Sequence, residues 1–298
     1  MSIDFLAVGN LTRDSTPDGF RLGGTVAFAA VTAQRLGWRP AILTRASLDG
    51  LEPRVPALPD EPVLTTGLRG TPLAGIPVRV MPSPVTTTFT NVYGPNGRTQ
   101  HITAVAEPVV PDGLPAEWAH PQVVLLGAIA RELPPHWAAM FPSSLTGIAP
   151  QGLMRRWGAD GLVRHGRWEN PELFLRRADA VFLSREDVGG DDAYIARLAG
   201  EARLLVVTDG YHGATVYAKG KATAIPPRPT VEVDPTGAGD VFATSFMIRY
   251  AETGDPFAAG RFASIVASMS VEANGMDAVP TRQQVDAWLA VEAVRGPS

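Results

Sequence analysis

The chain has 298 residues, 45% of them hydrophobic, enough apolar material for one large or two modest cores. Its formal net charge of −4 argues against a nucleic-acid partner, whose phosphates call for clustered Lys and Arg. It has no cysteine, which excludes disulfides and thiolate metal sites and fits a cytoplasmic protein, and its longest apolar runs, such as residues 123–126, are too short to cross a bilayer.

In chain order, residues 5–8 read as a strand ending in Gly9-Asn10, after a start that lacks the basic segment of a secretory signal. After a polar loop, Gly23-Gly24 opens a helix of small apolar residues over 26–36, stopped by Gly37 and followed by a strand over 41–44. That order is of the α/β kind. Residues 51–84 are Pro-rich and predict short strands and loops. Residues 86–93 and 98–105 alternate on either side of Gly94-Pro95-Asn96-Gly97, which predicts a hairpin. Beyond them, buried-type strands at 123–126, 180–183 and 204–208 alternate with helical stretches, as in a mostly parallel sheet wrapped by helices. The last helices are expected over 241–250, 256–271 and 281–293. With no internal repeat or linker, we expect one domain over 1–298, with a small β lid from about 12–24 and 76–105.

The most informative run is Asp234-Pro235-Thr236-Gly237-Ala238-Gly239-Asp240, set at the mouth of the 241–250 helix. Small residues there leave backbone N–H groups and the positive end of the helix dipole open to an anion. An acid beside an anion hole is electrostatically awkward, and that conflict suits phosphoryl transfer to an alcohol. Asp240 would accept the hydroxyl proton, and the Gly237, Ala238 and Gly239 amides would stabilise the transferring phosphoryl. Thr208, Gly210 and Gly213 form a second constellation at the end of a strand, where nucleotides bind in open α/β sheets. The chain lacks a GxxxxGK[ST] loop and a GxGxxG after the first strand, and its five His show no metal-binding spacing, which disfavours a P-loop enzyme, a dinucleotide oxidoreductase and zinc chemistry.

In spelling and position the 234–240 run resembles the C-terminal signature of the ribokinase-like (PfkB) carbohydrate kinases, and Gly23-Gly24 resembles their N-terminal signature. The resemblance spans the chain and implies a ribokinase-like three-layer α/β/α fold that uses ATP with Mg2+, with a site that would take K+. It also implies a small polyhydroxylated substrate, no membrane and no nucleic acid, and a monomer or homodimer. It places Thr208, Gly210, Gly213 and Thr236 at the ATP, with Ser264 and Ala267 flanking adenine. Asn10, Asp14, Gly23, Gly24 and Asp240 would hold the substrate. Phe28 stands where sugar-kinase members often carry Asn, which makes ribose or fructose phosphate a poorer fit. Gln151-Gly152 with Arg155 resembles a segment of inositol kinase-like members, which favours a cyclic polyol. The family's Asn-x-x-Glu metal motif is reduced to Ser184-Arg185-Glu186-Asp187, putting Asp187 at the Mg2+ position with a shorter reach. Asp234, Thr236, Ser270 and Gly275 match positions around the family's monovalent-cation site. Two alternatives stay open: a nucleoside kinase on the same fold, and a ligand sensor that has lost turnover.

Overall fold

The computed structural model describes residues 2–16, 19–47, 63–65, 68, 70–94 and 97–295. Its first strand, β1 (Phe5–Val8), is buried at every position. Phe5 and Ala7 point into one core and Leu6 and Val8 into another, so β1 is covered on both faces. The chain continues through β2 (Thr12–Thr16), β3 (Gly19–Gly23), α1 (Thr25–Arg35), β4 (Pro40–Ala46), β5 (Val63–Thr65) and β6 (Val78–Pro82). Next come β7 (Thr87–Gly94), β8 (Gly97–Ala104), β9 (Val123–Gly127), β10 (Leu145–Ala149), α2 (Gln151–Met154), β11 (Arg155–Arg156), β12 (Arg164–His165) and α3 (Glu172–Leu175). The remainder is β13 (Ala180–Ser184), α4 (Asp192–Glu201), β14 (Leu204–Thr208), β15 (Ala214–Ala218), β16 (Lys221–Ile225), α5 (Ala238–Thr253), α6 (Pro256–Ser270) and α7 (Arg282–Arg295).

Among the described residues the large sheet has the order β16-β15-β14-β13-β10-β9-β1-β4-β6-β5. It is parallel from β14 to β6, with antiparallel β15, β16 and β5 at its edges. The fold is thus α/β with a mostly parallel sheet between helical layers. Because β1 lies between β4 and β9, the connections leaving β1 and β9 part in opposite directions, and a crevice opens at that switch point. One core packs α1, α5 and α6 on the sheet, and the other holds Trp118, Trp137 and Trp168 with Tyr194 of α4. No helix among the described residues is long and apolar enough to cross a membrane.

A second sheet of order β3-β2-β7-β8 stands apart from the large one. Gly94 pairs with Gly97 in the β7–β8 hairpin, and the connecting Pro95-Asn96 lies outside the described residues. Of the segment expected in the lid, Val78–Pro82 lies instead in the large sheet beside β4, where Val78 and Val80 are buried. Most of 51–69 lies outside the described residues.

α5 starts at Ala238, three residues before the expected 241, so Ala238, Gly239 and Asp240 make up its first turn. Gly237 caps it in the left-handed region at φ 79°, where a side chain is strained. Farther along α5, Phe246 meets Phe182 of β13 edge-on at 5.3 Å and is fully buried. Burying such a ring contributes about 2–3 kcal/mol, which locks α5 against the sheet and fixes where its first turn sits.

Candidate active site

Asp240 is partly exposed at the start of α5 and enters no ion pair among the described residues. Burial of its carboxyl among protein atoms pushes its pKa up to about 6, against a side-chain hydrogen bond from Thr25 and the charge of Arg155, with Asp187 adding to the rise. A carboxyl so placed exchanges a proton near neutral pH, as a general base must. The amide donors beside it divide in two. The Ala238 N–H donates to Pro235 O at 3.1 Å inside the turn, so Ala238 is not an open donor as the sequence suggests. The Gly239 and Asp240 N–H groups have no partner among the described residues, and the space where a Gly239 side chain would stand is open. These two amides and the α5 dipole are available to an anion.

Gly237 is held by contact as well as by its backbone. A Cβ there would come within 2.3 Å of the Phe28 ring, which lies beneath the turn on α1.

Gln151 and Arg155 form an internal network. Arg155, 7% exposed, donates from Nη1 to Ile129 O at 2.9 Å and from Nη2 to Gln151 Oε1 at 2.8 Å. Its guanidinium lies 5.0 Å from the centre of the Phe89 ring, a residue of the small sheet. Gln151 Nε2 donates in turn to Asp187 Oδ1 at 3.0 Å, so both ends of the Gln151 amide are engaged within the protein. These residues, expected as substrate contacts, thus run from the small sheet to the end of β13, and the charge of Arg155 favours the ionised form of Asp240.

Asp187, expected at a metal position, is held within the protein. It is 4% exposed, its Oδ1 accepts from Gln151, and its Oδ2 accepts from Ser184 N at 2.8 Å. Among the described residues no group of three or more His, Cys, Asp or Glu is arranged to hold a metal ion.

Asn10, expected to touch substrate, is fully buried. Its Oδ1 accepts from Arg45 N at 3.2 Å and its Nδ2 lies 3.4 Å from Thr87 Oγ1, so it joins β1 to β4 and to the small sheet. Its own N–H donates to Glu132 Oε1 at 3.0 Å. Glu132, which the sequence reading passed over, is 1% exposed and also accepts from Ile129 N at 2.9 Å and Ala130 N at 2.7 Å. Burial raises its pKa and the Ala130, Asn10 and Ile129 N–H groups work against that rise. It fixes the loop whose Ile129 carbonyl supports Arg155.

Asp14 lies on β2 over the glycine pair, its Oδ2 only 2.7 Å from where a Gly23 Cβ would stand. Gly24, at φ 93°, would bring a Cβ within 2.7 Å of Asn10 O. Both glycines are therefore required by the neighbouring strand, with Asp14 held at their surface.

At the far side of the sheet, Thr208 ends β14 and Gly210 takes φ 53° in the turn that follows. Gly213 is demanded by the approach of β16, where a Cβ would meet Ile225 O at 2.2 Å. Ser264 is 3% exposed and donates to Pro226 O at 2.9 Å, so its hydroxyl ties α6 to the loop after β16. Ala267 stays partly exposed on α6. Ser270 donates to Ala267 O at 2.9 Å. Asp234 accepts from Thr236 N at 3.0 Å and Gly275 N at 3.1 Å, which staples the turn before α5 to the loop after α6. Burial works to raise the Asp234 pKa, yet the hydrogen bonds of Thr236 and Gly275 and the charge of Arg21 hold it below the ordinary range. Its oxygens and the Ser270 hydroxyl are thus engaged within the protein. A cleft of about 230 Å³ lined by Pro108, Arg131, Leu133, Trp168 and Phe174 lies elsewhere, and none of the predicted site residues lines it.

The profile described as pfkB family carbohydrate kinase matches residues 173–282, the stretch that carries Thr208, the 234–240 turn and Ser264. The inositol 3-kinase of Zea mays aligns over 262 residues at 26% identity, covering 82% of this chain and 65% of that one. A fructokinase of Klebsiella pneumoniae is 34% identical to this chain over 134 residues, which is 39% of this chain and 44% of that kinase, less than two thirds of its length. In fold, the chain resembles a pyrophosphate-dependent kinase in the ribokinase family, solved with a pyrophosphate analog and myo-inositol. The TM-score is 0.75 at 19% identity, over 95% of this chain and 99% of that one.

Proposed function

We propose that this protein is an ATP-dependent small-molecule kinase that transfers the γ-phosphoryl group to a hydroxyl of a sugar or cyclic polyol, with a myo-inositol-like acceptor favoured. One observation carries the reading: a carboxyl with pKa about 6 stands in the first turn of α5 beside two open amides. In this reading Asp240 accepts the acceptor hydroxyl proton as the new O–P bond forms and the bond to the ADP oxygen breaks. The Gly239 and Asp240 N–H groups hold the non-bridging oxygens, where charge gathers. Asp14, with the backbone of Gly23 and Gly24, grips acceptor hydroxyls, and the small sheet acts as a lid that keeps water from the phosphoryl group. No step is assigned to Asp187 or to a metal held by it.

The polyol preference draws on the inositol 3-kinase alignment along most of the chain and on Phe28, an apolar surface in place of a sugar-binding amide. Pyrophosphate is the rival donor, favoured by the fold likeness to a kinase that uses it. ATP is supported by exposed apolar side chains in the loops after β14 and β16. Tyr211 and Val231 are each 80% exposed and Val233 is 56% exposed, a surface that a nucleobase would use and pyrophosphate would not.

The test is a matrix of inositols, pentoses, hexoses and nucleosides against ATP and pyrophosphate, with phosphorylated product as the readout. The reading expects ATP-dependent product with a polyol or sugar. Product with nucleosides alone would favour a nucleoside kinase, product with pyrophosphate alone would reassign the donor, and ligand binding with no product would leave a sensor.

A further inference from the structure

The two halves of the small sheet meet the body of the protein differently. Register sets Arg21 of β3, Asp14 of β2, Phe89 of β7 and Ile102 of β8 side by side on one face, since paired residues of neighbouring strands point the same way. Under β7 and β8 that face is filled. Phe89 is 2% and Ile102 6% exposed, and they form an apolar cluster of their own with Ile129 and Ala130 from the loop after β9, against which Trp157 and Val163 pack from the β11–β12 hairpin. The same hairpin pairs with the edge of the sheet. The Ile102 N–H donates to Gly161 O at 2.8 Å, the Val163 N–H donates to Gln100 O at 2.9 Å, and His101 pairs with Leu162 in an antiparallel bridge, so residues 161–163 extend the sheet beyond β8. Gly161 is left-handed at φ 68°, and a Cβ there would come within 2.6 Å of Ile102 O, so only glycine permits that approach. The β2–β3 half is open by contrast, with Asp14 partly exposed and Arg21 exposed.

We propose that residues 157–163 set the size of the acceptor: with β7 and β8 they form a wall that ends the acceptor site beside Asp14, so the site takes a single-ring polyol or sugar and turns away acceptors with a second ring, disaccharides and nucleosides among them. The inference rests on the reading of Asp14 and the glycine pair as the acceptor grip. Neighbouring strands lie about 4.8 Å apart, so the open face of β2 and β3 offers the width of one ring. A second ring beside it has to enter the space that Phe89 and Ile102 hold. Displacing those side chains exposes the cluster and breaks the pairing of 161–163 with β8. Trp157 and Val163 are thus positioning residues, which act on the acceptor through Phe89 and Ile102.

The experiment measures kcat/KM for myo-inositol and fructose, which have one ring, and for sucrose and uridine, which have two, in the full-length wild type and in a variant carrying Trp157→Ala and Val163→Ala. The wild type is expected to favour the better single-ring acceptor over either two-ring compound by about 100-fold or more, and the variant to narrow that gap by about tenfold through a gain on the two-ring compounds. Two-ring turnover within about tenfold of single-ring turnover in the wild type, or an unchanged ratio in the variant, would overturn the proposal. A merely structural role would lower both rates alike and leave the ratio where it was. Should the double variant lose its native circular dichroism, Gly161→Ala takes its place, because it pries 161–163 from β8 and keeps every apolar side chain. Faster hydrogen exchange at the Ile102 and Val163 amides with a narrowed ratio supports the proposal, and unchanged exchange or an unchanged ratio overturns it. If none of these compounds is phosphorylated with ATP or pyrophosphate, the catalytic reading falls separately and calorimetric titration decides the size limit. Binding of single-ring compounds alone supports it, and binding of a two-ring compound, or of none, overturns it.

Discussion

The Phe28 ring supports Gly237 from below so closely that no side chain fits between them: a Cβ at 237 would lie 2.3 Å from Cδ1 and Cε1 of the ring. An aromatic residue of the first helix thereby sets the height of the turn on which Asp240 rides, 212 residues later by the numbering. Phe28, which stands where a sugar-binding amide is expected, is thus also a structural floor for the 237–240 turn.

Gly237→Ala should therefore be costly on two counts, a left-handed backbone at φ 79° and the collision with Phe28. We expect a stability loss of about 2–4 kcal/mol and a fall in kcat of roughly 100-fold. Chemical denaturation of Gly237→Ala, Phe28→Ala and the double variant checks it. The double variant should be less destabilised than the sum of the singles, because removing the ring relieves the collision. Strict additivity would show that the two residues do not press on one another.

Asp240 carries a stability cost that depends on pH. Its folded pKa of about 6 lies above the ordinary 3.8, so between those values the unfolded chain binds fewer protons than the folded one. Stability therefore falls as pH rises through that window and levels off above it. Asp240→Asn should remove this slope and stabilise the protein at pH 7.5 by about 1–2 kcal/mol, a figure reduced for the partial exposure of the group. The two proteins should converge below about pH 4. Thermal melts across pH 4 to 8 test this, and an Asn variant less stable than the wild type at pH 7.5 would contradict it.

Glu132 has a different signature. It meets three buried backbone donors, on Asn10, Ile129 and Ala130. Glu132→Ala strands them and should cost about 3–5 kcal/mol, with the loss of Asn10 and Arg155 placement visible as a raised acceptor KM. A variant within about 1 kcal/mol of the wild type by urea denaturation would show that the loop holds itself without the carboxylate.

What the sequence made legible was local. The 234–240 run announced a helix start with an acid in its first turn, because glycine spacing and apolar periodicity are both short-range signals. The alternation in 86–105 announced the β7–β8 hairpin for the same reason. The protein partners of Gln151, Asn10 and Asp187 are not legible because they are distant in sequence: Gln151 meets Asp187 across 36 positions, and Asn10 N–H meets Glu132 across 122. A polar residue next to a signature reads as a ligand contact until the fold shows both of its ends engaged. Glu132 is not legible because a lone Glu after a strand reads as solvated. The usable hint for Glu132 was its place among apolar residues, between Ile129-Ala130 and Leu133.

The most direct test of the account is single-turnover phosphorylation by Asp240→Asn, with the acceptor identified in the substrate matrix. The account predicts a chemical step slowed by about 1,000-fold or more with ATP affinity within a few-fold of the wild type, since the base is lost and the amides remain. A chemical step within tenfold of the wild type would contradict it and move the proton acceptor to another group.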